Sequence, residues 1–124
     1  MSTVTRGRRR RLTTEPNFVT VSDTTYEIVT FRTHAAFPEA EVRRRAAAVQ
    51  AWIEQQPGYR TRSLLRTADG EWVDIVQWDT LAHAQAAAKA IGTAKAAGAF
   101  MEVIDGPSVV MRHARVAFAP DAAA

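Results

Sequence analysis

Three histidines and no cysteine bound the side-chain chemistry open to this 124-residue chain. Without a thiol there is no thiolate nucleophile, no disulfide and no thiolate metal site. His34, His83 and His113 are scattered, none has a second histidine or a carboxylate at ligand spacing, and no metal site is expected. No Gly-rich phosphate loop follows a strand-like run and no Gly-x-Ser-x-Gly occurs. Two positions stand out. His113 ends the run Val109-Val110-Met111-Arg112-His113, so it is expected in mid-strand. Facing a cavity it is a base near neutral pH. The plainer reading is a histidine hydrogen-bonded at a subunit interface. Asp74 lies between Trp72-Val73 and Ile75-Val76. A carboxylate in such surroundings has a raised pKa unless it is paired. It is therefore an acid/base group or half of an ion pair, and Arg60, Arg62, Arg66, Arg112 and Arg115 supply partners. The Asp–Arg pair is the favoured reading. Arg112 or Arg115 would hold an anionic substrate oxygen, and Trp52, Trp78 and Phe100 would wall a pocket, although such aromatics more often belong to a core. His34, in a loop, and His83, early in a helix, read as surface residues.

These groups need a frame. Tyr26 to Arg32, dense in β-branched and aromatic residues, predicts a strand. Pro38 suits the first position of a helix, with Glu39 and Glu41 at its positive end. Val42, Ala46, Val49 and Ile53 then recur at helical spacing until Gln56-Pro57-Gly58 stops the helix. Tyr59–Thr67 and Glu71–Trp78 predict two strands joined at Asp69-Gly70, the signature of a type I′ hairpin. Asp79 or Thr80 caps a second, alanine-rich helix with the stripe Leu81, Ala84, Ala88, Ile91. Gly92 and Gly98 weaken or end it, and Phe100, Met101, Val103 and Ile104 suggest a short buried turn. After Asp105-Gly106-Pro107 a last strand is expected from Ser108 to about Phe118.

The order β-α-β-β-α-β predicts an α+β, ferredoxin-like domain: a four-stranded antiparallel sheet with two helices on one face. Strands one and three are expected in the centre, four beside one and two beside three. With Val29, Phe31, Val73 and Ile75 assigned to the helix side, Tyr26, Ile28, Trp72, Val76 and Trp78 fall on the open face. So much exposed apolar surface predicts a two-fold homodimer. The small side chains of the second helix leave either a pocket above the sheet or closer packing.

The charge divides unevenly. Residues 1–24 carry five arginines against Glu15 and Asp23, while residues 25–124 carry 11 basic and 11 acidic side chains. Residues 25–124, which hold the domain at 25–118, are thus neutral, and the basicity belongs to residues 1–24, which read as a disordered Arg-rich tail. Residues 119–124 read as a frayed end. Nucleic acid is not expected as a partner except through the run Arg8-Arg9-Arg10-Arg11. No apolar run approaches the roughly 18 residues of a membrane span, and no secretory signal is evident, so the expected location is the cytoplasm.

Tyr26-Glu27-Ile28-Val29-Thr30-Phe31, Pro57-Gly58-Tyr59, Asp69-Gly70-Glu71-Trp72 and Trp78-Asp79-Thr80 before an alanine-rich helix resemble the dimeric α/β-barrel superfamily, within it the antibiotic-biosynthesis-monooxygenase-like group. The resemblance spans about residues 25–117. It implies a small-molecule enzyme of the cofactor-independent monooxygenase type, needing no cofactor and acting on aromatic or polyketide-like compounds in a pocket between helices and sheet. The alternative it leaves open is a non-catalytic dimeric module that binds a ligand or partner. The resemblance to haem-degrading members stops at outline. That branch uses an Asn on strand one and a Trp and axial His in the second helix, where this chain has none from Ala84 to Ala99.

Overall fold

The structure, a computed structural model, describes residues 23–120. The expectations for the Arg-rich segment before Asp23 and for residues 121–124 lie outside the described residues. The elements are β1 (Thr25–Phe31), α1 (Glu39–Ala48), α2 (Gln50–Ile53), β2 (Tyr59–Arg66), β3 (Trp72–Trp78), α3 (Leu81–Ala90), α4 (Lys95–Met101) and β4 (Val110–Arg115). The strands form one antiparallel sheet in the order β2-β3-β1-β4. This is the expected α+β, ferredoxin-like arrangement.

The first helical stripe packs as the periodicity predicts, with Val42, Ala46, Val49 and Ile53 all buried. Pro38 is the N-cap, with extended backbone, rather than the first helical residue. It has no N–H to leave unpaired, and its carbonyl accepts from the Glu41 and Val42 amides. The stripe is divided at Val49, whose N–H turns back to Ala46 O at 3.2 Å before α2 resumes the helical path.

Two turns differ from expectation. The β2–β3 hairpin closes through a hydrogen bond from Gly70 N to Thr67 O, and Thr67 N donates to Glu71 O. The bend thus centres on Ala68-Asp69, with Gly70 in left-handed conformation (φ 93°) behind it, instead of a type I′ turn on Asp69-Gly70. Asp69 Oδ1 accepts from the Thr67 hydroxyl and the Glu71 amide, which holds this wider loop. In the second half, Gly98 does not end a helix but lies inside α4, which replaces the expected turn and buries Phe100 while leaving Met101 exposed. α3 buries Ala84 and Ala87, with Ala88 and Ile91 of the expected stripe part-buried, while Leu81, the first helical residue, is exposed. β4 is shorter than expected, since Gly106–Ser108 forms a 3₁₀ turn and pairing with β1 runs out at Arg115.

The largest correction concerns which face of β3 meets the helices. Register pairs Phe31 with Trp72, Val29 with Asp74, Glu27 with Val76 and Thr25 with Trp78, so all eight share the helix side. Val73 and Ile75 point the other way, beside Thr30 and Ile28. Burying two indoles removes more apolar surface from water than burying a valine and an isoleucine, and that decides the parity. The core is Phe31, Trp72 and Trp78 beneath Val42, Val49, Ala84, Phe100 and Val103. The open face remains apolar with a different membership: Tyr26, Ile28, Val73 and Ile75 in the centre, Leu65 (48% exposed) and Val110 (52%) at the edges.

Candidate functional site

On the helix side the sheet carries a polar row through its middle. Arg62 of β2, Val76 of β3, Glu27 of β1 and His113 of β4 are cross-strand neighbours in one line. Asp74 sits in the adjacent row, between Leu64 and Val29. Arg62 closes on it as a fork: Nε donates to Oδ1 at 2.9 Å and Nη2 to Oδ2 at 2.8 Å, with both side chains nearly buried. The Arg62 Nη1 donates to Ala46 O of α1 at 2.9 Å, tying helix to sheet. Asp74 is therefore the ion-paired carboxylate favoured from its sequence context, and both its oxygens are occupied.

The carboxylate that stands beside His113 is Glu27. Its Oε1 accepts from Trp78 Nε1 at 3.1 Å, and its Oε2 lies 3.7 Å from His113 Nε2. Burial pushes the Glu27 pKa up; the Trp78 hydrogen bond and the His113 charge oppose this, and the Asp74 charge adds to it. Glu27 was not singled out from the sequence, but a signal existed. It shares the parity of Val29 and Phe31, the helix-side residues of the same strand.

His113 Nε2 is buried and has no hydrogen-bond partner. The ring forms part of a groove of about 560 Å³ at the outer edge of the sheet, between β4 and the start of α3. Thr25, Thr80, Leu81 and Arg115 line it with His113. The other sequence-predicted groups are dispersed. Arg112 pairs with Ile28 and so lies on the opposite face from His113. Trp78 and Phe100 are core residues, making edge-to-face contacts with Tyr59 and Phe31, and Trp52 is half-buried against that core. These aromatics fill the space between helices and sheet instead of walling a pocket: α3 packs closely through its alanines. Asp74 and His113 are separated by β1, as their strands require.

Of the remaining histidines, His34 is exposed. His83 belongs to the start of α3, where its amide is capped by Thr80 Oγ1 at 3.1 Å and its Nδ1 lies 2.8 Å from the same oxygen. Among the described residues there is no group of three or more His, Asp or Glu side chains that could hold a metal ion, and no helix is long and apolar enough to cross a membrane.

Strand order and helix placement give the chain a ferredoxin-like fold that matches solved structures of antibiotic-biosynthesis-monooxygenase-like proteins. Among solved structures it is similar to SnoaB, a cofactor-independent oxygenase from Streptomyces nogalater (TM-score 0.67, 20% identity, covering 81% of this chain and 99% of that one). It is similar also to a Bordetella bronchiseptica protein provisionally named an antibiotic biosynthesis monooxygenase (TM-score 0.68, 13% identity, covering 78% and 100%). A third is MhuD, a heme-degrader from Mycobacterium tuberculosis with two hemes bound in its active site (TM-score 0.61, 21% identity, covering 77% and 97%). No protein-family model matches the chain, and neither does any curated protein. Likeness at these identities concerns the fold, and the reaction has to be argued from the site.

Proposed function

We propose that this chain is a cofactor-independent oxygenase acting on an aromatic or polyketide-like substrate, with His113 as its base. The observation that carries the reading is the His113 ring: it borders a groove, while its buried Nε2 faces Glu27 at 3.7 Å and has no other partner. A base that takes a proton on Nδ1 becomes an imidazolium, and a carboxylate behind the opposite nitrogen stabilises that charge. Arg115, in the same groove, holds the oxygen anion that deprotonation creates. The substrate anion is then the reductant: a methylene becomes a carbonyl, one atom of O₂ is retained and the other leaves as water. The same fold in a cofactor-independent oxygenase supports the reading. We also propose that the chain works as a homodimer, its open apolar sheet face covered by a second copy.

Oxygen uptake with an anthrone-type or hydroquinone substrate tests the catalytic role. His113→Ala is expected to lower kcat by about 10²-fold or more, in line with the loss of a general base. Glu27→Gln is expected to lower it by about tenfold and shift the acidic limb of the pH–rate profile. Turnover unchanged in the His113 variant removes that residue from the mechanism.

A further inference from the structure

A second groove, of about 500 Å³, lies at the other edge of the sheet, between α1 and β2. Ala46 and Ala47 face Leu64 across it, and small side chains opposite one leucine leave the gap open. Trp72 lines it from the core. Its indole is 2% exposed, and its Nε1–H is buried without an acceptor. The rim is cationic. Arg43 has no ion pair or hydrogen bond among the described residues. Arg66 lies 4.6 Å over the Trp72 ring and is paired at 2.6 Å only with Glu39, in the first turn of α1. That pair is part-exposed, so solvent screening makes it easy to exchange. Arg62, at the inner end, is already neutralised by Asp74. The groove is therefore apolar at its base and net positive at its mouth.

We propose that this groove binds a small aromatic or conjugated monoanion, a carboxylate or an enolate. Its ring lies on Ala46, Ala47 and Leu64, and its charge lies between Arg43 and Arg66, displacing the carboxylate of Glu39. The site is independent of the His113 groove. Charge complementarity makes Glu39 a built-in competitor, so the proposal predicts an effect of unusual sign: removing this acid strengthens binding.

The test is a titration of the full-length protein with 2-naphthoate, followed by the ¹⁵N–¹H signals of the three tryptophan indoles and assigned with Trp72→Phe. The Trp72 signal is expected to move saturably while those of Trp52 and Trp78 stay in place. Arg43→Ala and Arg66→Ala should each weaken binding at least fivefold, Glu39→Gln should tighten it two- to fivefold, and the uncharged 2-naphthamide should bind at least tenfold more weakly. His113→Ala should leave the affinity unchanged, which separates this site from the oxygenase reading. Absence of a Trp72 shift, indifference to both arginine variants, weaker binding in Glu39→Gln, or loss of binding in His113→Ala overturns the proposal. The three charge variants alter part-exposed or exposed positions, so a retained indole spectrum certifies the fold in each.

Discussion

Asp74 and Glu27 are two buried carboxylates on neighbouring strands, and their partners give them opposite characters. Asp74 is held by a bidentate guanidinium. Asn at this position leaves Arg62 as a buried charge without its counterion, and breaking such a pair typically costs about 3–5 kcal/mol. Asp74→Asn is expected to lose that much in chemical denaturation, whereas the double change Arg62→Met with Asp74→Leu should recover most of it. Glu27 has only an indole N–H and a histidine that is too distant for a hydrogen bond. Its pKa is raised above the ordinary 4.5 by burial, so folding holds the proton on this acid more tightly than the unfolded chain does. The stability this gives is complete below 4.5 and is lost as pH rises through the raised value. Glu27→Gln removes the titration while Oε1 still accepts from Trp78. Its denaturation midpoint is therefore expected to fall less between pH 4 and pH 7 than that of the natural protein. Asp74 was legible as an ion pair because it stood among apolar residues with arginines nearby. Glu27 was legible too, by its shared parity with Val29 and Phe31, but its partners Trp78 and His113 come from other strands and only the sheet register brings them to it.

At the level of elements, the junction between β2 and α3 explains a glycine that the sequence marked only as a stop. Gly58 has φ 84°, and a Cβ there would collide with the His83 ring. Its carbonyl also accepts from the Asp79 amide at 2.8 Å, directly before the Thr80 cap. Gly58→Ala thus combines left-handed strain with a clash against a side chain fixed by its own cap. A loss of about 2–3 kcal/mol is expected in thermal or chemical unfolding. Thr80→Ala removes the cap and its contact with the His83 ring without backbone strain, and should cost about 1 kcal/mol. Local patterns disclosed the helix starts and the hairpin, because caps and turns are properties of a few consecutive residues. They did not disclose the contact between Gly58 and His83, 25 residues apart in the chain.

On the scale of the whole molecule, the proposed homodimer and the open sheet face belong together. Ile28 pairs with Ile75, and Val73 has Leu65 on one side and Thr30 on the other, giving a continuous apolar strip across three strands. A guanidinium at its centre could not be desolvated against a second copy without a partner. Ile75→Arg is expected to convert a dimer into a monomer in sedimentation velocity at micromolar protein, with the fold intact because the residue faces away from the core. A natural chain that sediments as a monomer removes the basis for the dimer.

By itself the sequence determined the four strands, the helical segments between them, their order and hence the ferredoxin-like topology, since helical and strand periodicity and caps are written in neighbouring residues. It also located the basic excess in residues 1–24, apart from residues 25–124, whose charges balance. Only the tertiary structure decided which face of β3 lies inward. An alternating strand reads equally well with either parity, and the choice falls to the register with β1 and to the area two indoles bury. That single choice placed the Asp74–Arg62 pair on the helix side, where it is nearly buried, filled the expected pocket with Trp72 and Trp78, and moved the open space to two grooves at the sheet's edges.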